Sequence, residues 1–335
     1  MPSQTVLLTG ITGFIAKRIA FDLLAEGYHV RGSLRSLKRA EEVKEAITAQ
    51  GGDVTNLSFV ELDLTKDAGW ADAMTGIDAL VHTASPFPLA QPKDENDIIR
   101  PAVDGTMRAL KAAQSAGVNR VVLTSSMVAV MYVDRPAGHQ YTAADWTDIH
   151  HPAATAYVKS KTLAEKAAWD FINDHPDMTL TTVHPGLVLG TPMDQHYGTS
   201  LGVVERILSA KDPMQPDLAL PIIDIEDVSA LHVAALETPE TAGHRLLATV
   251  DEWTFPQMAQ VLADAYPNRK IKTATAPKWL LRVLALFDKD LKTVLPQIGF
   301  RAPTDVSETM TLTGMRYIPA KEAVLKSAAF IDAKG

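Results

Sequence analysis

The chain has 335 residues, 46% of them hydrophobic, which suffices for a substantial buried core without several independent domains. Its formal net charge of −8 argues against nucleic acid as a partner. It holds no cysteine, so disulfides and thiolate chemistry are excluded; no charged-then-apolar leader precedes the first strand, and no apolar run reaches the roughly 18 residues of a membrane span. A soluble cytoplasmic protein is expected.

In chain order, Thr5-Val6-Leu7-Leu8 is a short apolar run typical of a buried parallel strand. It enters Thr9-Gly10-Ile11-Thr12-Gly13-Phe14-Ile15-Ala16 and then a helical pattern through Leu24. Gly10 allows the tight strand-to-helix turn, and Gly13 lets a phosphate approach bare backbone at a helix amino terminus. Ala16 is small enough for the helix to pack closely on a sheet. The spacing is G-x-x-G-x-x-A, not G-x-G-x-x-G. With 5–9 as the first strand, others are expected at 28–33, 57–62, 78–82, 119–124 and 179–184, with Ala/Leu-rich amphipathic stretches between them. That alternation predicts an α/β fold with a doubly wound parallel sheet. Pro101-Ala102-Val103-Asp104-Gly105-Thr106 is read as opening the helix after the fourth strand. After Gly186 the rhythm breaks into loops bearing Pro192, Pro213 and Pro216, with a helical piece from Thr199 to Ala210. Pro221 to Leu236 reads as a strand and helix returning to the main sheet. The remainder, including Trp253 to Tyr266 and Pro277 to Phe287, reads as mainly helical.

Two further stretches suggest chemistry. Arg120-Val121-Val122-Leu123-Thr124-Ser125-Ser126 is an apolar strand ending in hydroxyls, and ligands of open α/β sheets sit at the carboxyl ends of strands. Serine and threonine also suit turns, so this feature alone is ambiguous. Tyr157-Val158-Lys159-Ser160-Lys161 places a phenol and an ammonium one helical turn apart, on one face. A free tyrosine holds its proton to about pH 10, and a nearby positive charge lowers that value toward use as a general acid or base. An ordinary surface helix would show the same pair.

In this order, TGxxGxxA, the strand-end serine and YxxxK resemble the extended branch of the short-chain dehydrogenase/reductase superfamily. His82-Thr83-Ala84-Ser85-Pro86, the stretch Pro101 to Thr106, His184-Pro185-Gly186-Leu187-Val188-Leu189-Gly190 and Ile225-Glu226-Asp227-Val228 extend the likeness. They are similar to the group of dihydroflavonol reductases, cinnamoyl-CoA reductases and microbial aldehyde and ketone reductases, over roughly residues 3–265. The resemblance implies a Rossmann-type NADP-binding domain at 1–186 plus 220–250 and a smaller, mainly helical substrate-binding lobe at 187–219 plus 251–335. It implies catalytic roles for three residues. Tyr157 would give its proton to a carbonyl oxygen, Lys161 would hold the nicotinamide ribose and lower the Tyr157 pKa, and Ser126, preferred over Ser125, would orient the substrate oxygen. The cofactor-binding residues would be Thr9, Gly10, Thr12, Gly13, Phe14 and Ile15 in the glycine turn, Thr83, Ala84 and Ser85 along the phosphate and ribose path, and Thr124. Pro185, Gly186 and Val188 would shape the nicotinamide pocket. Asp63 and Leu64 match the family's adenine-contacting pair, although Asp63 also suits an ordinary turn. Ala102 stands where many members carry a relay asparagine.

Charge suggests which dinucleotide. NAD sites hold the ribose hydroxyls with a carboxylate about 20 residues beyond the glycines. The corresponding stretch here, Tyr28 to Arg39, has none; Glu26 and Glu41 are nearest. An arginine grips a 2′-phosphate bidentately, so NADP(H) is favoured, with Arg35 the main contact and Lys38 or Arg39 assisting. A solvated basic turn is the alternative. Leu89, Met127, Val130, Met131 and Met193 hint at a hydrophobic carbonyl substrate but equally suit a core. Tyr132, Met131 and Phe87 are candidates to face it. His139, His150 and His151 lack a metal-ligand pattern, so no metal is expected. His82 and His184 read as structural, and Trp146, Trp169 and Trp253 as packing. The leading expectation is an NADP-dependent reductase of a small hydrophobic aldehyde or ketone, dihydroflavonol-type ketones included, acting as monomer or homodimer. A sugar epimerase/dehydratase or hydroxysteroid dehydrogenase stays open, as does a non-catalytic NADP-binding redox sensor.

Overall fold

The computed structural model describes residues 4–85, 94–287 and 289–333. At its centre is β1 (Thr5–Thr9), whose Val6 and Leu8 join one core cluster while Leu7 joins another. Both faces of the strand are buried, as an unbroken apolar run requires. The chain then alternates through α1 (Phe14–Ala25), β2 (His29–Leu34), α2 (Ala40–Ala49), β3 (Leu57–Glu61), α3 (Trp70–Met74), β4 (Ala79–His82), α4 (Asn96–Ser115), β5 (Arg120–Thr124), α5 (Ala156–Asn173) and β6 (Thr179–Pro185). It continues with β7 (Leu187–Leu189), α6 (Gly202–Leu208), β8 (Ala219–Asp224), α7 (Ile225–Glu237), β9 (Arg245–Ala248), β10 (Asp251–Thr254) and α8 (Phe255–Ala265). The last elements are α9 (Lys278–Leu284), α10 (Lys289–Val294), α11 (Ser307–Thr313) and α12 (Ala320–Asp332).

The main sheet is parallel throughout, in the order β3-β2-β1-β4-β5-β6-β9. Chain order reverses between β1 and β4, the position where a doubly wound sheet opens a crevice at its carboxyl edge. This is the expected Rossmann-type fold. Its seventh strand, β9, was not legible in the sequence. The strand expected to return to the main sheet after Pro221 does not do so. β8 pairs with β7 and β10 in a separate three-stranded sheet, while α7 packs beside α1 on the main one. The outer edge of β6 is already taken by β9. Backbone crowding marks where the chain crosses: a Cβ on Gly186 would lie 2.3 Å from the Pro221 carbonyl oxygen. The small sheet joins α6, α8 and α12 around its own core of Leu189, Ile207, Met258 and Val324.

A second correction concerns α4. It begins at Asn96, not at Pro101, and the Asp94 side chain just before it accepts the Asn96 N–H at 2.9 Å. Pro101 sits inside the helix and forgoes one backbone bond. Among the described residues no helix is long and apolar enough to cross a membrane.

Candidate active site

The glycine turn is fixed from both sides. Gly10 has φ +69°, and a Cβ there would meet that of Ala84 at 2.9 Å, so conformation and space both demand glycine. Ser33 of β2 props the turn: its hydroxyl accepts from Gly10 N–H at 3.2 Å and its carbonyl from Ile11 N–H at 3.0 Å. Thr12 follows, and exposed Gly13 is the N-cap of α1, where no side chain caps the helix. The amides of Phe14, Ile15 and Ala16 therefore have no intrahelical acceptor, and bare backbone faces outward. These residues fit a dinucleotide pyrophosphate. Across the crevice, Thr9 Oγ1 accepts the N–H groups of Thr83 and Ala84, each at 3.1 Å. Its own proton is left for His82 Nδ1 at 2.9 Å, which makes His82 a neutral structural residue; burial lowers its pKa to about 3. Half-buried Ser85 comes next. Pro86, Phe87 and Leu89 lie outside the described residues.

On the other side of β1, Arg35 and Lys38 are exposed just past β2 and make no hydrogen bond or ion pair among the described residues. Arg39 is committed to Glu42, Nη2 to Oε1 at 2.7 Å. Asp63 is a turn residue: its carboxylate accepts from Thr65 N–H at 3.0 Å and Thr65 Oγ1 at 2.8 Å, which hold its pKa below the usual range. Leu64 packs on Gly105 of α4, where a Cβ would come within 3.3 Å.

The chain leaves β5 through Ser125 and Ser126, and the two serines face different ways. Ser125 Oγ donates inward to Glu165 Oε2 at 2.6 Å. The Ser126 hydroxyl hydrogen-bonds the Tyr157 phenol and lies 3.4 Å from the Pro185 carbonyl. Tyr157 and Lys161 occupy successive turns of α5, whose first turn is capped by Thr155. Lys161 Nζ donates to the Thr124 carbonyl at 3.3 Å, and Thr124 Oγ1 is held by His232 Nε2 at 2.7 Å. Thr124, Ser126, Tyr157, Lys161 and Pro185 thus meet at the carboxyl ends of β5 and β6. Gly186 follows, its N–H bonded to Ala248 O at 3.0 Å, and Val188 is core, paired to Ile223 in the small sheet.

Burial pushes the Tyr157 phenol up to about 12, with the Ser126 hydrogen bond opposing. Burial draws Lys161 down to about 8, with Glu165 opposing. The lowering of the Tyr157 pKa expected from Lys161 is thus outweighed by burial. Desolvation dominates, and the ammonium is turned toward the Thr124 carbonyl.

Several suspected pocket residues are core. Met127, Val130, Met131 and Met193 are buried, and Tyr132 is packed against the rings of His151 and Phe300. Their apolar character says nothing about substrate. Ala102 is buried within α4. Glu42, Asp194 and His196 bring possible metal-ligand atoms within 4.8 Å of one another, but Lys17 and Arg39 pair with those carboxylates. Ser33, Glu165 and Arg245 support the site and were missed in the sequence; His184, read as structural, hydrogen-bonds Glu165 at 2.7 Å. Only Glu165 carried a signal, lying one turn beyond Lys161.

Comparison with known proteins agrees with this geometry. The family model described as NAD dependent epimerase/dehydratase family matches residues 6–247. A ketoreductase of Aspergillus niger is 33% identical over 289 residues, covering 79% of this chain and 83% of that protein. The NADPH-dependent methylglyoxal reductase of Saccharomyces cerevisiae is 32% identical over 295 residues, covering 80% and 84%. The crystal structure of the yeast methylglyoxal/isovaleraldehyde reductase complexed with NADPH matches with a TM-score of 0.82 and 28% identity, over 99% of both chains. Glycine turn, reversed strand order, strand-end serine and paired Tyr157 and Lys161 fit the same conclusion: the chain belongs to the NAD dependent epimerase/dehydratase family, within the extended short-chain dehydrogenases/reductases.

Proposed function

We propose that this protein is an NADP(H)-dependent oxidoreductase that reduces the carbonyl of a small aldehyde or ketone, the alcohol being substrate of the reverse reaction. One observation carries the reading. The Ser126 hydroxyl, hydrogen-bonded to the Tyr157 phenol, and the Lys161 ammonium gather at the carboxyl edge of the sheet, the edge that also carries the glycine turn after β1. The names of similar proteins, a ketoreductase and an NADPH-dependent methylglyoxal reductase, support it.

Thr9 to Ile15 would hold the pyrophosphate, and Arg35 with Lys38 the 2′-phosphate. Asp63 and Leu64 would lie at the adenine, Thr83 to Ser85 along the ribose path, and Pro185, Gly186 and Val188 near the nicotinamide. When bound, the nicotinamide supplies a hydride to the carbonyl carbon. Tyr157, whose pKa of about 12 keeps it protonated at neutral pH, gives its proton to the carbonyl oxygen. Ser126 orients that oxygen and shares the developing charge. Lys161, with a pKa of about 8, is mostly protonated at pH 7; its charge stabilises the phenolate left behind and its ammonium serves the ribose hydroxyls. We also place the enzyme in the cytoplasm as a monomer or homodimer, which fractionation and sedimentation would check.

The test follows loss of NADPH, and in parallel NADH, against aldehydes, ketones and dihydroflavonols, with Tyr157→Phe beside wild type. Turnover with NADPH that the substitution abolishes is expected. Tight NADPH binding with no turnover on any carbonyl would move the reading to a redox sensor. Preference for NADH would favour an epimerase.

A further inference from the structure

The carboxyl end of β5 is gripped from both faces of the sheet. Val122 packs with Val228 and Leu231 of α7 in one core, while Leu123 packs with Ala168 of α5 in the other. Alternation along the strand therefore turns the Thr124 side chain toward α7 and leaves α5 on the opposite face. From α5, Lys161 Nζ donates to the Thr124 carbonyl at 3.3 Å. From α7, His232 Nε2 lies 2.7 Å from Thr124 Oγ1. Thr124 thus joins the ammonium of the proton-transfer pair to a histidine on the far side of the sheet.

The direction of that second contact is fixed by a third. His232 Nδ1 lies 2.7 Å from the Val228 carbonyl, one turn earlier in α7. A carbonyl only accepts, so Nδ1 carries the ring proton. The ring is buried, and burial draws its pKa down to about 4 with the Val228 carbonyl opposing, so it is neutral at pH 7. In a neutral ring the other nitrogen is an acceptor, and Nε2 therefore takes the proton of the Thr124 hydroxyl. β1 ends in the same device. Thr9 gives its proton to His82 Nδ1 at 2.9 Å, and its oxygen then orders the N–H groups of Thr83 and Ala84. Beyond Thr124, the Ser125 N–H bonds the Val183 carbonyl at 2.8 Å, and Ser126 follows.

We propose that His232 is a positioning residue: by taking the Thr124 hydroxyl proton it braces the end of β5 and so sets the carbonyl on which Lys161 docks. For its effect on turnover this rests on the reductase reading. For the brace itself it does not. Any buried histidine bonded in this way would add to stability, so denaturation alone is no test.

The first measurement needs no turnover. Long-range proton–nitrogen NMR of the histidine rings, with His232 assigned by its loss in His232→Phe, should show Nδ1 protonated and Nε2 bare. In Thr124→Val the Nε2 signal should move toward that of an unbonded ring acceptor. The Lys161 Cε resonance, assigned by its loss in Lys161→Met, should shift in both Thr124→Val and His232→Phe. In steady-state reduction at pH 7, His232→Phe should lose about tenfold in kcat with carbonyl KM within about threefold. His232→Gln, whose amide oxygen stands in for Nε2 as acceptor, should recover most of that loss. In a Thr124→Val background His232→Phe should cost nothing further, because the hydroxyl it acts through is gone. If His232→Phe does not fold, Thr124→Val with His232→Leu removes donor and acceptor together, leaves no orphaned hydroxyl, and carries the same expectation for Lys161. A ring protonated at Nε2, an unmoved Lys161 resonance in a folded variant, or losses that multiply in the double variant overturns the proposal. Absence of turnover in wild type, with both NMR results as expected, overturns the reductase reading and leaves the brace standing.

Discussion

Replacing Arg35 with alanine separates cofactor choice from cofactor binding. Arg35 lies just past the carboxyl end of β2, exposed, with no hydrogen bond or ion pair among the described residues. Its loss should therefore change folding stability by no more than about 0.5 kcal/mol. Its neighbours cannot fully replace it. Arg39 is bound to Glu42 through two hydrogen bonds of 3.0 and 2.7 Å, and Lys38 offers a point charge without a fork. A hydrogen bond to a charged partner contributes about 1.5–3 kcal/mol, so NADPH should bind about 10- to 150-fold more weakly to Arg35→Ala. NADH, which lacks the 2′-phosphate, should bind as before. Dissociation constants for both nucleotides follow from nicotinamide fluorescence, and the NADPH value should also become less sensitive to salt. Equal weakening of both, or unchanged NADPH affinity in a folded variant, refutes the assignment of the 2′-phosphate to Arg35.

Gly10→Ala should weaken NADPH and NADH together, because it disturbs the turn that serves both. A left-handed non-glycine residue costs about 1–2 kcal/mol before the 2.9 Å approach to Ala84 is counted, so denaturant midpoints should fall as well. Tyr157→Phe should lower kcat by about 10²- to 10⁴-fold with little change in melting temperature; a smaller loss would remove the phenol from the proton transfer. Asp227 gives a pH-dependent stability. Burial raises its pKa to about 6, with the Ile318 N–H at 2.7 Å opposing. The folded state thus binds this proton more tightly than the unfolded chain does, and the contribution is lost as pH rises from about 4 through 6. Asp227→Asn keeps an acceptor for Ile318 and should stabilise the protein at pH 8 by up to about 3 kcal/mol, but not at pH 4. An equal effect at both pH values would rule out the titration.

Much of this was legible in the chain itself. Short strands alternating with helical patterns are legible from local sequence, and six of the seven main-sheet strands announced themselves that way. The turn from Thr9 to Ala16 could be read because its chemistry is local: a left-handed φ at Gly10 and an uncapped helix end at Gly13 need only adjacent residues. Tyr157 and Lys161 could be paired because helical spacing alone puts them on one face. Tertiary structure decided what depends on distant partners. β9 is four residues long, and β8 turned to a different sheet because β9 occupies the edge of β6. The strand-end serines have the same side chain, and they differ only because Glu165 lies behind one and Tyr157 beside the other. Tyr157 holds its proton more tightly than the sequence suggested, since desolvation depends on everything packed around the phenol. Arg245 gave no sign in the sequence; 80 residues of chain separate it from Glu165, and only the closed sheet brings the two charges together.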